Sequence, residues 1–470
     1  NRNLKSQRFN LLSSDLQTTE AYTPKIYQPQ FFSPDISPYI KPVYSQFKWV
    51  QGRKSECYQP FSKGCKTDIN NIKFDIMHTF VPMCCGKWTK SIQQHQYVNQ
   101  IPNSLFFKNK VKLAKAVEDS EIKIMPKHFQ HGSRELKEYL KDKSNFVICK
   151  KERSHCTHGT IMTNNYSQVP KDPAYVIQEY KKDILLFKGH RFENRLFMLI
   201  TSLDPVIAYL HPSGFSRFQK RKFKKIDPKN MFNNIQQLMK DSYGPDKSKW
   251  RTDSGFNPFI NSHELYKLFT KNSSDFNFHS QTNQSLIQTI KQQTELMAVR
   301  LLTLQQSNLK KDIEHAQSFP RRFFQLFGID QFWLRDGSSM MYEINGNSEI
   351  QPMINKNKNW NFVDVYPEML NLVGIRRFDV QTKVVRPNYS MNETEIDQII
   401  QDGRKINLNG LTEFEQRSIL QILDEDDRKG QFVRVRMENH MEMLNGYLNK
   451  LVYYVVKSGV EVRDGELVYK

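Results

Sequence analysis

Three oxygen-bearing side chains have the types and the spacing of a divalent-cation site. Asp330 ends the segment FFQLFGID, and Glu343 and Asn345 stand two residues apart in YEIN. Residues two apart on a strand share a face, and a hairpin about Gly337 would bring Asp330 opposite them. Carboxylate and amide oxygens suit a hard cation such as Mg²⁺ that also binds nucleotide phosphates. The spacing therefore predicts a magnesium site; the alternative is a trio that only forms hydrogen bonds within a sheet.

The elements that must position these residues follow from hydrophobic periodicity. Apolar runs bounded by turns predict strands over 145–149, 175–180, 196–202, 205–210, 323–333 and 339–344. Apolar spacing of three and four predicts a long helix over 285–306, and a second, acidic helix is predicted over 412–427. Antiparallel hairpins mixed with helices favour a mixed α/β (α+β) fold over a doubly wound sheet.

The composition excludes several classes of protein. The 470 residues include 69 basic and 49 acidic side chains, a formal net charge of +20, and 38% are apolar. This apolar content argues against wholesale disorder, and no apolar run approaches the ~20 residues that cross a bilayer. The six cysteines lack metal-ligand or disulfide spacing, which favours a reducing compartment. The charge predicts an acidic partner, and the basic run from Arg217 to Lys225 lacks an RNA-binding signature, so no sequence-specific nucleic acid is expected.

The wider sequence resembles the tubulin-tyrosine ligase-like family, in its glutamylase-type branch. FFQLFGID followed by YEINGNSEIQP resembles the metal-binding end of that family. Upstream, YVIQEY at 175–180, GHRFENRLFMLITS at 189–202 and YLHPSGFSRF at 209–218 follow the family's order of a hinge strand and two further strands. With matches on either side, the resemblance covers roughly residues 90–435.

This resemblance implies an ATP-grasp fold and an amide-forming reaction. Members of the family use ATP and Mg²⁺ to activate a carboxylate as an acyl-phosphate, which an amine then attacks; an acidic tubulin tail and a free amino acid such as glutamate are the typical substrates. Carried onto this sequence, the resemblance implies metal binding by Asp330, Glu343 and Asn345 and a catalytic role for Arg195. The candidate nucleotide-binding residues are Lys150, His158, Gln178, Glu179 and Tyr180.

Departures from the family pattern fall at the nucleotide. Cys149 stands where the resemblance expects a phosphate-binding lysine, and the adjacent Lys150 is expected on the opposite face of the strand. Glu179 replaces a hinge lysine, and Thr157 and His158 replace glycine and arginine in the phosphate loop. The sequence therefore predicts a degenerate ATP site in a structural or binding subunit of a larger assembly. The alternative is an active ATP- and Mg²⁺-dependent tubulin polyglutamylase or glycylase that uses Lys150 or another cation instead.

The domain division follows from the resemblance and from shifts in composition. We expect an extended arm (1–45), an amino-terminal α/β domain (46–140), a central ATP-grasp domain (141–235), a loop-rich insertion (236–283), a carboxy-terminal ATP-grasp domain (284–390) and a C-terminal helical extension (391–470). The expected partner is an acidic protein surface such as tubulin tails, or the subunits of a large assembly. A tubulin partner predicts the cytoskeleton or a cilium, whereas a basic leader removed before Asn1 would predict an organelle such as the mitochondrion.

Overall fold

The structure, a computed structural model, describes the chain over residues 30–32, 50–51, 76–77, 96–101, 109–120, 122–152, 159–224, 226, 251–279, 284–316, 323–346, 365–374 and 388–470. Within these ranges the strands form four sheets. The two sheets that carry the candidate site pair their strands antiparallel. The mixed α/β class with antiparallel sheets is therefore confirmed.

A parallel sheet opens the described chain. Its strands are β1 (Gln30–Phe32), β2 (Val50–Gln51), β3 (Ile76–Met77) and β4 (Tyr97–Val98). They pair in the order β2-β1-β3-β4. Helix α1 (Lys110–Asp119) follows and is capped by Asn109, whose side chain accepts a hydrogen bond from the Lys112 amide at 2.9 Å. Leu113 and Val117 are buried on one face of α1, which fixes the helix and Lys110 at its first position.

A second sheet carries the hinge strand of the candidate site. Its strands are β5 (His128–Phe129), β6 (Val147–Lys151), β7 (Ile161–Thr163) and β8 (Tyr175–Glu179). They pair in the order β5-β8-β6-β7. Helix α2 (Arg134–Tyr139) covers one face of this sheet, where Phe129, Leu136 and Cys149 share a buried cluster.

The largest sheet is the platform for most of the charged residues discussed below. Its strands are β9 (Leu186–Phe187), β10 (His190–Leu203), β11 (Val206–Phe218), β12 (Phe259–Asn261), β13 (Gln325–Trp333), β14 (Ser339–Gly346) and β15 (Val433–Arg434). Five of these strands pair in the order β12-β11-β10-β13-β14; in addition, β9 pairs with β10 and β15 pairs with β11. Helices α3 (Ser262–Lys271) and α4 (Leu286–Ala316) lie on one face, where Ser262 Oγ donates to Asn194 Oδ1 and Gln331 Nε2 donates to Thr294 Oγ1.

The carboxy-terminal part is mostly helical and packs onto the same core. It contains α5 (Val365–Val373), α6 (Glu393–Asp402), α7 (Glu413–Arg428), α8 (Tyr447–Lys457) and a hairpin of β16 (Val460–Arg463) and β17 (Glu466–Tyr469). Ile419 and Ile422 of α7 are fully buried, and the hydroxyl of Tyr453 in α8 donates to the Val206 carbonyl at 2.6 Å. This region is therefore part of the same hydrophobic core as β10 and β11.

Most predicted elements are confirmed, and one segment differs. The β13–β14 hairpin and the acidic helix have the predicted positions, and the long helix extends beyond its predicted end to Ala316. The segment 236–283, expected to be rich in loops, contains β12 and α3 in its described part. Leu265 and Phe269 supply the buried face of α3 within a polar sequence. Of the expected arm, only residues 30–32 are described. No helix in the described ranges is long and apolar enough to cross a membrane.

Candidate active site

The predicted oxygen trio lies together on β13 and β14. Asp330 and Glu343 are directly paired across the two strands, and Asn345 follows opposite Gly328. Asn345 Nδ2 donates a hydrogen bond to Asp330 Oδ2 at 3.3 Å. Gly337 makes the turn between the strands with φ +85°, and a Cβ there would lie 2.5 Å from a Thr289 methyl carbon, so the hairpin requires glycine.

Arg195 binds the same acidic group from the neighbouring strand. Arg195 of β10 pairs in register with Asp330 of β13. Its Nε and Nη2 donate to the two Asp330 carboxylate oxygens at 2.6 and 2.7 Å. Burial by itself would lower the pKa of Arg195, but Asp330 raises that pKa above its ordinary value. The predicted catalytic cation and a predicted metal ligand therefore form a bidentate ion pair.

Glu343 is held by a lysine from the amino-terminal part of the chain. Lys110 Nζ, at the start of α1, lies 2.9 Å from Glu343 Oε2. Burial would raise the pKa of Glu343, but Lys110, with Lys150 and Arg195, lowers it below its ordinary value. Glu343 is therefore a carboxylate surrounded by basic side chains.

Lys150 faces the cleft between the second sheet and the largest sheet. Its Nζ donates to Gln178 Oε1 at 3.4 Å and lies 5.0 Å from the centre of the Tyr342 ring. Cys149, one residue earlier, is fully buried on the other face of β6, in the cluster with Phe129. The prediction that Lys150 faces away from the cleft is therefore wrong. The alternation of β6 places Cys149 in the core and its neighbour in the cleft.

The hinge strand contributes polar groups to the same cleft. Gln178 is buried, and its Nε2 has no hydrogen-bond partner among the described residues. Glu179, the replacement for a hinge lysine, forms an ion pair with Lys181 at 2.7 Å. The Tyr180 hydroxyl accepts a hydrogen bond from Arg191 Nη1 at 2.9 Å. The hinge strand thus has one buried donor, Gln178 Nε2, without a partner among the described residues. Lys181 neutralises the charge of Glu179.

Basic side chains outnumber acidic ones across this region. The basic groups are Lys110, Lys150, Arg191, Arg195 and Arg217, and the acidic groups are Glu193, Asp330 and Glu343. Burial lowers the pKa of the Lys150 ammonium to about 8; nearby Glu343 opposes that shift, while the Lys110 and Arg191 charges add to it. Burial raises the pKa of Glu193 although Arg217 is paired with it. A surplus of positive charge suits a polyanionic ligand.

Comparison with known proteins identifies the family. Residues 89–360, more than half of the chain, match the family model "Tubulin-tyrosine ligase family". The chain belongs to the tubulin-tyrosine ligase family. Similar proteins include tubulin polyglutamylase TTLL7 of Mus musculus, 26% identical over 155 residues, which are 30% of this chain and 17% of that protein.

Two further relatives carry related names. Tubulin polyglutamylase TTLL5 of Homo sapiens is 24% identical over 159 residues, 32% of this chain and 12% of that protein. A probable beta-tubulin polyglutamylase of Tetrahymena thermophila is 23% identical over 179 residues, 35% of this chain and 15% of that protein. The chain thus matches less than a fifth of the length of each of these relatives.

The oxygen donors of this family member fit a magnesium ion by their chemistry. Asp330, Glu343 and Asn345 provide carboxylate and amide oxygens, which Mg²⁺ prefers. At present Arg195 and Lys110 neutralise the two carboxylates, so a divalent cation would replace those contacts. Across the described ranges there is no cluster of three or more His, Cys, Asp or Glu side chains that could hold a metal. The candidate site has only two side chains of these types, Asp330 and Glu343, because its third oxygen donor is the amide of Asn345.

The cleft beside the hinge is narrow in this structure. Side chains that include Lys150, Gln178, Arg191 and Tyr342 line a cavity of about 20 Å³. A space of this size holds about one water molecule. Arg191, at the edge of this cavity, donates to the hydroxyls of both Tyr180 and Tyr342. A nucleotide base would therefore enter only if side chains such as Arg191 moved.

Several site residues were missed by reasoning from the sequence. Lys110 gave no signal, because more than 200 positions separate it from Glu343. The sequence did contain a signal for Arg191, because Arg191, Glu193 and Arg195 stand two apart along β10 and therefore share one face of the strand. Of the predicted nucleotide-binding residues, His158 lies outside the described residues. The roles of the predicted residues stay predictions.

Proposed function

We propose that this chain is an ATP- and Mg²⁺-dependent ligase of the ATP-grasp type that joins an amino acid to an acidic protein tail. The observation that carries the proposal is the position of Lys150 in the cleft. The degenerate-site hypothesis depended on the loss of cations at the nucleotide. With Lys150 facing the cleft beside Arg191, and Arg195 beside Asp330, that argument loses its main support.

Each residue has a defined task in this proposal. Bound MgATP would supply the activated phosphoryl group, and Asp330, Glu343 and Asn345 would hold the metal. Lys150 would neutralise phosphate charge, and Arg195 would stabilise negative charge that develops on the transferred group. Gln178 Nε2, which has no hydrogen-bond partner in the described part of the chain, is the donor that an acceptor atom of the ligand would satisfy.

An acidic tail of tubulin is the proposed acceptor, and glutamate or glycine the proposed amino acid. The support comes from the relatives, which are named tubulin polyglutamylases, and from the net charge of +20. Opposite charge accelerates encounter between a basic protein and an acidic tail. The same proposal puts the protein on the cytoskeleton or in a cilium; a mitochondrial location is the alternative.

A second candidate function is that of a catalytically impaired subunit of a larger assembly. Two observations favour it. The Arg195–Asp330 and Lys110–Glu343 ion pairs already neutralise the candidate metal ligands, and the cavity beside the hinge is only about 20 Å³. Such a protein would keep the surfaces of a ligase without turning over ATP.

A transfer assay with labelled glutamate, labelled glycine and purified tubulin separates the two functions. We expect incorporation that requires ATP and Mg²⁺. Lys150→Met should lower the rate about 100-fold, because a positive group beside the transferred charge is removed. Lys171→Met, at an exposed loop position, is the control and should keep the wild-type rate. Failure of the wild-type protein to label tubulin, with folding verified, would contradict the ligase proposal and favour the impaired subunit.

A further inference from the structure

A groove lies on the face of the largest sheet opposite Arg195. Asn194 and Leu196 flank Arg195 on β10 and point to the other face of the sheet. On that face Ser262 Oγ of α3 donates to Asn194 Oδ1 at 2.7 Å, and Leu196 forms part of the groove. The groove is bounded by α3, α4, β11 and β15, and its volume is about 630 Å³. It is separate from the candidate active site.

Apolar side chains form much of the lining of the groove. The apolar residues include Leu196 and Leu210 from the sheet, Ile287 from α4, and Val433 and Val435 at β15. Val433 is 57% exposed and is the one exposed large hydrophobic residue recorded in the described part of the chain. The volume falls within the roughly 300–1,000 Å³ that is usual for small-molecule sites. An apolar chain in the groove would remove this surface from water.

The mouth of the groove is basic. Lys267 and Lys271 lie one turn apart on α3, and Lys291 lies on α4; all three are exposed and line the groove. Within the described ranges no ion pair is recorded for these lysines. Glu295 is the acidic residue among those that line the groove, and its carboxylate accepts a hydrogen bond from the Arg436 amide at 3.3 Å. The lining of the groove therefore combines apolar side chains with exposed lysines.

We propose that this groove binds a medium-chain fatty acid. The hydrocarbon chain would lie along Leu196, Ile287 and Val433, and the carboxylate would lie at the mouth near Lys267 and Lys291. Charge complementarity at the mouth selects an anionic head group over a neutral or cationic one. The size of the cavity selects a single small amphiphile over a folded partner.

Isothermal titration calorimetry with dodecanoate tests the site on the full chain, below the concentration at which micelles form. We expect saturable binding with one dodecanoate per chain. Dodecyltrimethylammonium has the same chain with a cationic head, and butanoate has the head without the chain. Neither should bind measurably, because each lacks one of the two matching features. Absence of dodecanoate binding, or equal binding of the ammonium compound, would overturn the proposal.

Variants at the mouth and on the wall locate the site. Lys267→Glu combined with Lys291→Glu should weaken dodecanoate binding about tenfold, since two ion pairs near the surface are lost and reversed. Val433→Asp should also weaken it, and because Val433 is exposed the fold should tolerate the change. Lys171→Glu, which reverses one exposed charge outside the groove, is the control and should bind as wild type. Unchanged binding in both groove variants would overturn the assignment.

Two further measurements distinguish a fatty-acid site from a folding defect and from a protein-docking surface. The groove variants should respond to MgATP as the wild-type protein does, which shows that they are folded and that the groove acts independently of the proposed ligase site. A synthetic acidic amphipathic peptide serves as the competing probe. If the peptide binds in the groove and dodecanoate does not displace it, the groove is a surface for a partner protein and the fatty-acid proposal is wrong.

Discussion

Lys150 is the residue on which the two functional proposals differ most, and its orientation depends on a single residue of strand register. In the sequence VICKK the resemblance aligns Cys149 with a family lysine, which puts the adjacent Lys150 on the opposite face of the strand. Neighbouring strand residues alternate and both faces of β6 are covered, so the order of residues alone does not fix which of the two faces the cleft. The structure resolves this because Cys149 is enclosed by Phe129 and Leu136.

The pKa of Lys150 predicts how nucleotide binding depends on pH. Burial lowers that pKa to about 8, so the free protein loses the Lys150 charge as the pH rises through that value. We expect the affinity for MgATP to be constant below this pH and to fall by up to about tenfold per pH unit above it. Calorimetric titration across this range measures the effect.

Lys150→Arg is the matched control for this pH profile. Arginine keeps its charge far above pH 8, so the profile of the variant should be flat across the same range. The free energy of unfolding of the wild-type protein depends on pH in the opposite direction from the MgATP affinity: it rises where the affinity falls. Between about 8 and the ordinary lysine pKa of 10.5 the unfolded chain binds more protons, so the cost of burying Lys150 falls as the pH rises. A wild-type affinity that does not change across pH 8 would contradict the role of Lys150.

Helices and hairpins were the most predictable elements, because their signals are local. The β13–β14 hairpin is predicted from the apolar runs about Gly337, and α7 is predicted as an acidic helix over 412–427. Helix α3 was missed because its two buried apolar residues, Leu265 and Phe269, stand in a polar segment. The sequence patterns that predict helices and hairpins thus lie within short segments. The ion pairs of the site join residues far apart in sequence, which no local pattern connects.

The start of α7 supports a prediction about stability. Thr412 Oγ1 accepts from the Glu415 amide at 3.4 Å, and Glu415 Oε2 accepts from the Thr412 amide at 2.7 Å, which forms a capping box. Thr412→Ala should lower the free energy of unfolding by about 1 kcal/mol, as measured by urea denaturation.

Thr270→Ala is the control for the cap. Thr270 is exposed within α3, and its hydroxyl donates only to the Tyr266 carbonyl one turn earlier. Alanine is a better helix former than threonine, so this variant should be as stable as wild type or slightly more so. Equal losses in both variants would show that the capping box contributes nothing specific.

At the scale of the whole molecule, the candidate site is built from parts of the chain that are far apart in sequence. Helix α1 provides Lys110, the second sheet provides Lys150 and the hinge, and the largest sheet provides Arg195 and Asp330. The parallel amino-terminal sheet connects to this arrangement where the Phe324 amide donates to the Val98 carbonyl at 3.0 Å. The proposed fatty-acid groove uses the opposite face of the largest sheet, so one platform would serve two ligands.

The central claim is that the cleft between the two sheets binds MgATP, and a thermal-shift titration tests it most directly. At about 100 times its Kd, MgATP should raise the melting temperature by about 3 °C, because ligand that binds only the folded chain stabilises it. Lys150→Met should abolish the shift, and Lys171→Met should retain it. A wild-type protein that shows no shift, or a Lys150→Met variant that keeps the full shift, would contradict the account.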